Sequence, residues 1–392
     1  MGQNVGTPRI YVNLHSWAKS IGLLDEQNPY FSGSHAMSGD GWNTKTEDIR
    51  RVFEDGSNPI KAKTWYFKET PHDAVSFITR YKNTIVSQMM EGNCYYAILN
   101  HNMASESQRT GSPIEFGLDA YSNATNDYSG EFLITGGINA NPSWQQNIMK
   151  PEYDGFSLAT CEWSGDAHNN IYAAFYSSLD AGETAGSPFP GGEQVKIGGI
   201  AFGNYYDFPH SPDLNLTMTI ENDGITTQQT KGGATLTNAR YTGAPKWGDL
   251  GCWELGDGSI ASTLSARGGR RVWNLTFSYL SDKQVLPINA LGNTVFDTSN
   301  ASSYDSDDYT DDVNSDYFNS NVLDGEDFFS AVWNKTMGAG NLPFIFNPQG
   351  GGSTPDNSPS NFAICRFDQN SLQVKQVAYN KYTISLKIKE CW

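Results

Sequence analysis

The residues that could perform covalent chemistry do not complete a catalytic motif. Gly155-Phe-Ser157-Leu-Ala159 begins like the Gly-x-Ser-x-Gly turn that presents a nucleophilic serine, but Ala159 replaces the last glycine. An ordinary strand or turn is the preferred interpretation. Glu115 and Asp119 offer the pair of carboxylates that glycoside cleavage requires, provided that the fold brings them together. We predict no enzymatic activity and no catalytic residue.

Metal-binding patterns are equally incomplete. The six histidines are scattered, and none belongs to a His-Glu-x-x-His arrangement. The acidic run from Asp305 to Asp316 starts like a calcium loop, but Thr310 stands where such a loop needs glycine and Asp316 replaces the bidentate glutamate. A solvated acidic loop is preferred, and calcium binding by it stays open. We predict no metal and no cofactor.

Two groups of residues suggest binding. Arg267-Gly-Gly-Arg270-Arg271 is a small basic cluster, which we interpret as a loop that contacts a neighbouring acidic surface. Five aromatic residues have the polar surroundings that sugar or protein contacts often show, although filling the core is the alternative that we prefer for any single tryptophan: Trp144, Trp163, Tyr205, Tyr206 and Phe208.

Composition narrows the function classes. The 392 residues include 26 Lys and Arg against 43 Asp and Glu, which gives a net charge of -17. This charge repels phosphate backbones and anionic lipid surfaces, so it argues against tight binding to either. Charged residues are only 18% and aromatic residues 13%, and there are 39 glycines and 17 prolines, which favours strands and turns over long helices.

Membrane insertion and export are not expected. No apolar stretch approaches the roughly 18 residues that a membrane-spanning helix needs. Arg9, His15 and Lys19 interrupt the first residues where a secretory signal needs an apolar core. The five cysteines are widely spaced, which predicts reduced, buried thiols and folding in a reducing cytoplasm.

The elements that would position these residues are mostly strands. Periodicity predicts a helix that begins at Pro71 and ends at Gly92, and a second one over Glu326–Met337 with Asp324 as its cap and Gly338 as its stop. The predicted strands, most of them alternating or short and bounded by turns, are Arg9–Leu14, Lys63–Phe67, Cys94–Leu99, Glu131–Ile134, Ile171–Tyr176, Gln194–Phe202, Leu214–Glu221, Arg271–Leu280, Leu342–Phe346 and two more before Trp392.

Pro209 and Pro212 predict a junction between two domains, because each removes a backbone donor and restricts the residue before it. The first domain, 1–208, is a predicted β-sandwich with an irregular arm over 1–63. The second domain, 209–392, is a predicted β-sandwich or barrel with one flanking helix and a solvated acidic insertion over about 299–323.

Two segments of the first half have a distinctive pattern: Ala97-Ile-Leu99-Asn-His101-Asn102-Met103 and Val195-Lys-Ile197-Gly-Gly-Ile200-Ala-Phe202-Gly203. Both are similar to strands of the galactose-binding-like (discoidin-type, jelly-roll) sandwiches that many phage virion proteins carry. The resemblance covers roughly Thr64 to Pro209. Sugar binding in that fold resides in variable loops, so the resemblance assigns no ligand residue here.

The clearest pattern of the second half is Arg271-Val-Trp273-Asn-Leu275-Thr-Phe277. It is similar to the Arg-x-Trp-x-Leu-x-Phe strand of phage minor-tail and distal-tail proteins. Leu342–Phe346, Phe362–Phe367 and Tyr382–Trp392 are similar to their closing strands. In that family the domain implies a tail-tube fold that assembles into a ring, commonly hexameric, around the DNA channel. The chain departs from the family pattern because its accessory sandwich comes first.

The resulting expectation is a structural protein of a bacteriophage tail, made in the host cytoplasm and located in the virion. Its predicted partners are copies of itself in a ring, other tail proteins of the tube, hub or fibre, and DNA that passes without tight binding. The alternative is a carbohydrate-binding virion protein that adheres to a host surface glycan.

Overall fold

The computed structural model describes seventeen stretches of the chain. They are residues 5–24, 65–66, 74–90, 92–104, 114–121, 148–149, 151, 154–163, 170–177, 196–221, 225–239, 246–247, 250–251, 270–287, 326–338, 342–357 and 361–391. The predicted strand Glu131–Ile134, the acidic insertion 299–323, Asp324 and Trp144 lie outside these residues.

The described residues are mainly β, as predicted. The strands are β1 (Arg9–Val12), β2 (Trp65–Tyr66), β3 (Ala74–Arg80), β4 (Gly92–His101), β5 (Ile114–Tyr121), β6 (Ile148–Met149), β7 (Gly155–Trp163), β8 (Asn170–Ser177), β9 (Lys196–Ile197), β10 (Gly199–Asp207), β11 (Thr217–Glu221), β12 (Ile225–Gln229), β13 (Thr235–Ala239), β14 (Lys246–Trp247), β15 (Leu250–Gly251), β16 (Arg270–Leu280), β17 (Phe344–Asn347), β18 (Ala363–Phe367), β19 (Val374–Ala378) and β20 (Lys381–Glu390). The helices are α1 (Leu14–Ser20), α2 (Ile85–Met89), α3 (Asp282–Val285) and the π-helix α4 (Phe329–Asn334).

One antiparallel sheet dominates the fold. Its strand order is β11-β16-β20-β18-β17-β1-β10-β4-β7, and β19 pairs with β20 beside that path. A smaller sheet has the order β3-β8-β5-β6, and the remaining short strands form three two-stranded pairs. The large sheet joins strands from both sides of Pro209, while the division into two domains stays a prediction.

Strand β1 connects the two halves. It pairs with β17 on one side and with β10 on the other, although it lies in the segment predicted as an irregular arm. Gly203 of β10 permits this approach, because a Cβ at that position would overlap the carbonyl oxygen of Val12. The register also sets Arg9 opposite Asp207, and Arg9 Nη2 donates to Asp207 Oδ2 at 2.7 Å.

Apolar side chains cover both faces of this sheet. In β1, Ile10 belongs to one buried cluster and Tyr11 to the other, as the alternation of a strand requires. The first cluster includes Trp273, Leu275 and Phe277 of β16, which pack near α4. The alternating residues of the predicted strand Arg271–Leu280 therefore build the core.

The helix predicted from Pro71 to Gly92 is wrong over most of its length. Residues Ala74–Arg80 form β3, which pairs with β8 over seven residues, and only Ile85–Met89 is helical. The apolar positions fit a period near 3.6 by coincidence. Val75, Phe77 and Thr79 have the β-branched or aromatic side chains that favour a pleated surface, and sheet pairing decides the outcome.

The second predicted helix exists but is shorter. α4 spans Phe329–Asn334, and the side chain of Asp327 accepts a hydrogen bond from Ser330 N at 2.9 Å. The predicted stop at Gly338 is confirmed, because its φ is 56° and its N–H donates to Trp333 O at 2.8 Å. In the described residues no helix combines the length and the apolar composition that crossing a membrane requires.

Candidate assembly surface

The edge strand β11 leaves one end of the large sheet open. It pairs with β16 on one side, and no other described strand pairs with its opposite side. Four of its five residues are exposed, including Ile220 at 55%. An edge of this kind presents unpaired backbone N–H and C=O groups that can pair with another chain.

A hairpin formed by β12 and β13 follows this edge. Five register pairs join the two strands, and residues 226–237 are all exposed, including Leu236 at 59%. The turn is held by Thr230 N, which donates to Ala234 O at 2.8 Å, and by Gly233, whose φ is 83°. A two-stranded hairpin with both faces in water is marginally stable by itself, so this one gains from a partner.

The open edge and the hairpin lack the charges that usually protect a strand edge. Over 225–239 the only charged residue is Lys231, in a chain whose net charge is -17. In β11, Glu221 is neutralised by Lys389, whose Nζ donates to Glu221 Oε2 at 2.5 Å. We call β11 together with the β12–β13 hairpin the assembly surface. It can approach an acidic neighbour without the repulsion that other faces of the chain meet.

The sequence predicted β11 but not the hairpin. Ile225–Gln229 and Thr235–Ala239 are rich in threonine and are separated by a turn that contains Gly232 and Gly233. This pattern is a hairpin signal that was available in the sequence. Exposure of both faces could not be predicted, because it depends on what the rest of the fold leaves uncovered.

Ser157 lies within β7, as its third residue, and not on a turn. Its Oγ lies 2.8 Å from His101 Nε2, and Met103 N donates to His101 Nδ1 at 3.3 Å. Since Nδ1 accepts, the neutral imidazole carries its proton on Nε2 and donates to Ser157. Burial lowers the pKa of His101 to about 3. The contact therefore joins β4 to β7 by a side-chain hydrogen bond.

Glu115 and Asp119 both lie in β5, four residues apart. A strand advances roughly 3.3 Å per residue, so their Cα atoms are separated by about 13 Å. Glycosidase carboxyl groups lie about 5 to 9.5 Å apart. The Cα separation does not measure the distance between the carboxyl groups, so the pairing of Glu115 with Asp119 stays a prediction.

The aromatic residues at the end of β10 are engaged within the chain. The guanidinium carbon of Arg9 lies 4.0 Å from the ring centroid of Tyr205. Tyr206 donates from its hydroxyl to Gln284 O at 3.4 Å. Phe208 is buried and stacks on Phe277 at 4.1 Å. These three support the core interpretation, and Trp163 lies at the end of β7.

Two other tyrosines are much more exposed. Tyr279 is 72% exposed and Tyr379 is 86% exposed. Tyr279 occupies a bulge between Phe277 and Leu280 with a φ of 61°, which a tyrosine rarely adopts. Leu280 pairs with Tyr382, and Tyr379 lies in the turn just before β20, so both tyrosines lie at one end of the β16–β20 pair.

Arg271 of the basic cluster makes its contacts inside the protein. Arg271 is buried, and its Nη2 donates to Glu390 Oε1 at 3.1 Å and to Phe362 O at 2.9 Å. The acidic surface that it contacts therefore includes a carboxylate of its own chain. Residues 267–269 lie outside the described residues.

A metal centre is not assembled by the described residues, since no group of three or more His, Cys, Asp or Glu side chains among them is placed to hold an ion.

Comparison with known proteins found no matching family model, no matching curated protein and no matching solved structure.

Proposed function

We propose that the protein is a non-enzymatic structural component of a bacteriophage tail, which assembles with copies of itself into a ring at the tail tip or hub. The observation that carries this proposal is the open assembly surface at one end of a large antiparallel sheet. A sheet edge that continues into an exposed, nearly uncharged hairpin is suited to pairing with another chain.

The asymmetry of the sheet favours a head-to-tail contact. β11 is exposed, whereas Phe156, Leu158 and Ala159 of β7 at the other end are buried. The two ends therefore present different surfaces, and contacts between different surfaces generate rings when the rotation closes. The hairpin would dock on a second copy and remove the open edge from water.

The net charge of -17 suits a wall around a DNA channel. Such a wall works best when it does not retain phosphate groups, and acidic side chains repel them. The proposed location is the virion tail, with neighbouring tail proteins as further partners. The mainly β architecture, the buried strand Arg270–Leu280 and the helix α4 that packs on its cluster support the same assignment.

Light scattering of the purified full chain, combined with negative-stain imaging, tests the proposal. We expect a mass that is a multiple, about sixfold, of the 43.1 kDa chain and a closed ring with a central hole. A chain that stays at 43.1 kDa across the accessible concentration range would contradict self-assembly.

The second candidate function is binding of a host surface glycan. It is favoured by the exposed rings of Tyr279 and Tyr379, because aromatic faces commonly stack on sugars. The residues first expected to serve this role, Tyr205 and Tyr206, make contacts within the chain. Glycan-array binding that disappears in Tyr279→Ala/Tyr379→Ala would support this function, and unchanged binding or none would reject it.

A further inference from the structure

The strand register sets two cysteines directly opposite each other. In the antiparallel pair of β4 and β7, the Cα of Cys94 is the register partner of the Cα of Cys161. The pairing is regular from Gly92 to Leu99, and the irregularity falls later, between Leu99 and His101. The two residues are distant in sequence, so only the fold brings them together.

This register gives the Cα separation that a disulfide requires. Cα atoms of opposite residues in antiparallel strands lie about 4.5 or 5.5 Å apart, depending on the hydrogen-bonding position. Disulfides accept Cα separations of about 4.4 to 6.8 Å. Either kind of pair therefore falls within the accepted range, without a change in strand pairing.

We propose that Cys94 and Cys161 are a latent cross-strand disulfide, reduced in the cytoplasm and closed by disulfide exchange in an oxidising environment. Cys94 carries a reduced thiol in the structure and is fully buried. The inference is independent of the proposed function. Glutathione disulfide is the oxidant that we name for the reaction.

The exchange is balanced. One cysteine thiolate attacks glutathione disulfide, forms a mixed disulfide and releases one glutathione thiolate. The second cysteine thiolate then attacks the protein sulfur of that mixed disulfide and releases a second glutathione. The two cysteine protons pass to the two glutathione thiolates. Two cysteine thiols and one glutathione disulfide therefore give one protein disulfide and two glutathione thiols.

Access to the pair depends on the end of the sheet. Cys94 is buried, so its thiol reacts only when the strands open. β7 is the terminal strand of the sheet path and pairs with β4 alone among the described strands. Local opening of β7 therefore exposes the pair without unfolding the centre of the sheet, and mild denaturant should accelerate closure of the disulfide.

The other described cysteines have no cysteine in register. Cys365 lies opposite Phe344 on one side and Glu390 on the other. Burial raises its pKa, which suppresses the reactive thiolate. Burial also raises the pKa of Cys391, to about 11. Cys252 lies outside the described residues.

Peptide mapping of the full chain tests the proposal. The reduced protein is incubated with glutathione disulfide, with and without low urea, and the remaining thiols are alkylated before digestion. We expect one linked peptide pair that joins Cys94 to Cys161, and a fall in free thiols from five to three. Complete alkylation of both cysteines, or glutathione adducts without a link, even when urea opens β7, would overturn the proposal.

Two variants serve as controls. Cys161→Ser should keep its four thiols under the same conditions, and Cys391→Ser should still form the linked pair. Closing a long loop should also raise the Tm of the wild-type chain by about 5 °C relative to the reduced state. That rise should be absent in Cys161→Ser, and a link elsewhere in the chain would contradict the assignment.

Discussion

The two ends of the large sheet differ in how they meet their surroundings. At the β7 end, apolar side chains are buried and His101 donates to Ser157 within the protein. At the β11 end, the edge and its hairpin are exposed, and Lys231 is the only charged residue over 225–239. Among the described residues both β7 and β11 are terminal strands of the sheet path, so the difference lies in their side chains. The β7 end is covered by buried apolar residues, whereas the β11 end continues into an exposed, nearly uncharged hairpin that is suited to contact with another chain.

The largest effect should come from breaking the sheet between its two ends. Gly203→Val places a side chain against the carbonyl of Val12 and separates β1 from β10. We expect a loss of more than about 4 kcal/mol in the free energy of unfolding, or failure to fold, measured by urea denaturation. Gly232→Ala is the matched control, since its surroundings are open, and it should change stability by less than about 0.5 kcal/mol. Equal losses in both variants would refute the role of the close approach.

The second largest effect on stability should come from removing one partner of a buried ion pair, compared with one partner of an exposed pair. Glu390→Ala leaves the buried guanidinium of Arg271 without its carboxylate, and we expect a loss of about 3 to 5 kcal/mol in unfolding free energy. Asp368→Ala removes the exposed partner of Lys387 and should cost at most about 1 kcal/mol. A loss for Glu390→Ala no greater than that for Asp368→Ala would show that the buried pair is not needed.

Acid should destabilise the β7 end of the sheet before the rest of it. Burial lowers the pKa of His101 to about 3, and burial together with the nearby charge of Lys19 lowers the pKa of His15 to about 3. The unfolded chain binds these protons near pH 6.5, so stability is full above that pH and falls as the pH drops towards 3. Each histidine should cost about 1.4 kcal/mol per pH unit across that window.

Hydrogen exchange at pH 7 and pH 4.5 checks this prediction, because it reports the protection of each strand and helix separately. Protection should fall in β4, β7 and α1 while β16 and β20 keep theirs, because the two histidines contact the former elements. His101→Gln should reduce the pH dependence of unfolding. Equal loss of protection across the whole sheet would count against a local effect of the histidines.

Much of the fold could be predicted from the sequence, but its connections could not. Alternation identified β16, in which Trp273, Leu275 and Phe277 are buried and the residues between them are not. The buried residues of β20 are also every second one. The same reasoning mistook Ala74–Arg80 for a helix, since pairing with β8 overrides local periodicity. The position of β1 between β10 and β17 was missed because strand order is set by long-range pairing.

The candidate surface was predictable only in part. The strand over Leu214–Glu221 was expected, and β11 forms at Thr217–Glu221 within it. Its exposure depends on how the rest of the fold packs around it, which no local pattern reports. Likewise, the contact between His101 and Ser157 joins residues that are distant in sequence, so only the register of β4 and β7 reveals it.

The smallest effect on stability should accompany the largest effect on assembly. Ile220→Asp/Leu236→Asp places charges on the assembly surface, and both positions are more than half exposed, so folding should change by less than about 1 kcal/mol. Tyr279→Asp/Tyr379→Asp adds the same charge at exposed positions elsewhere and is the matched control.

Light scattering of these two variants beside the wild-type chain is the most direct test of the account. We predict a ring for the wild type and for the tyrosine variant, and a 43.1 kDa monomer for Ile220→Asp/Leu236→Asp. Assembly of the Ile220→Asp/Leu236→Asp variant at the wild-type mass would contradict the central claim that the open edge and its hairpin join one copy to the next.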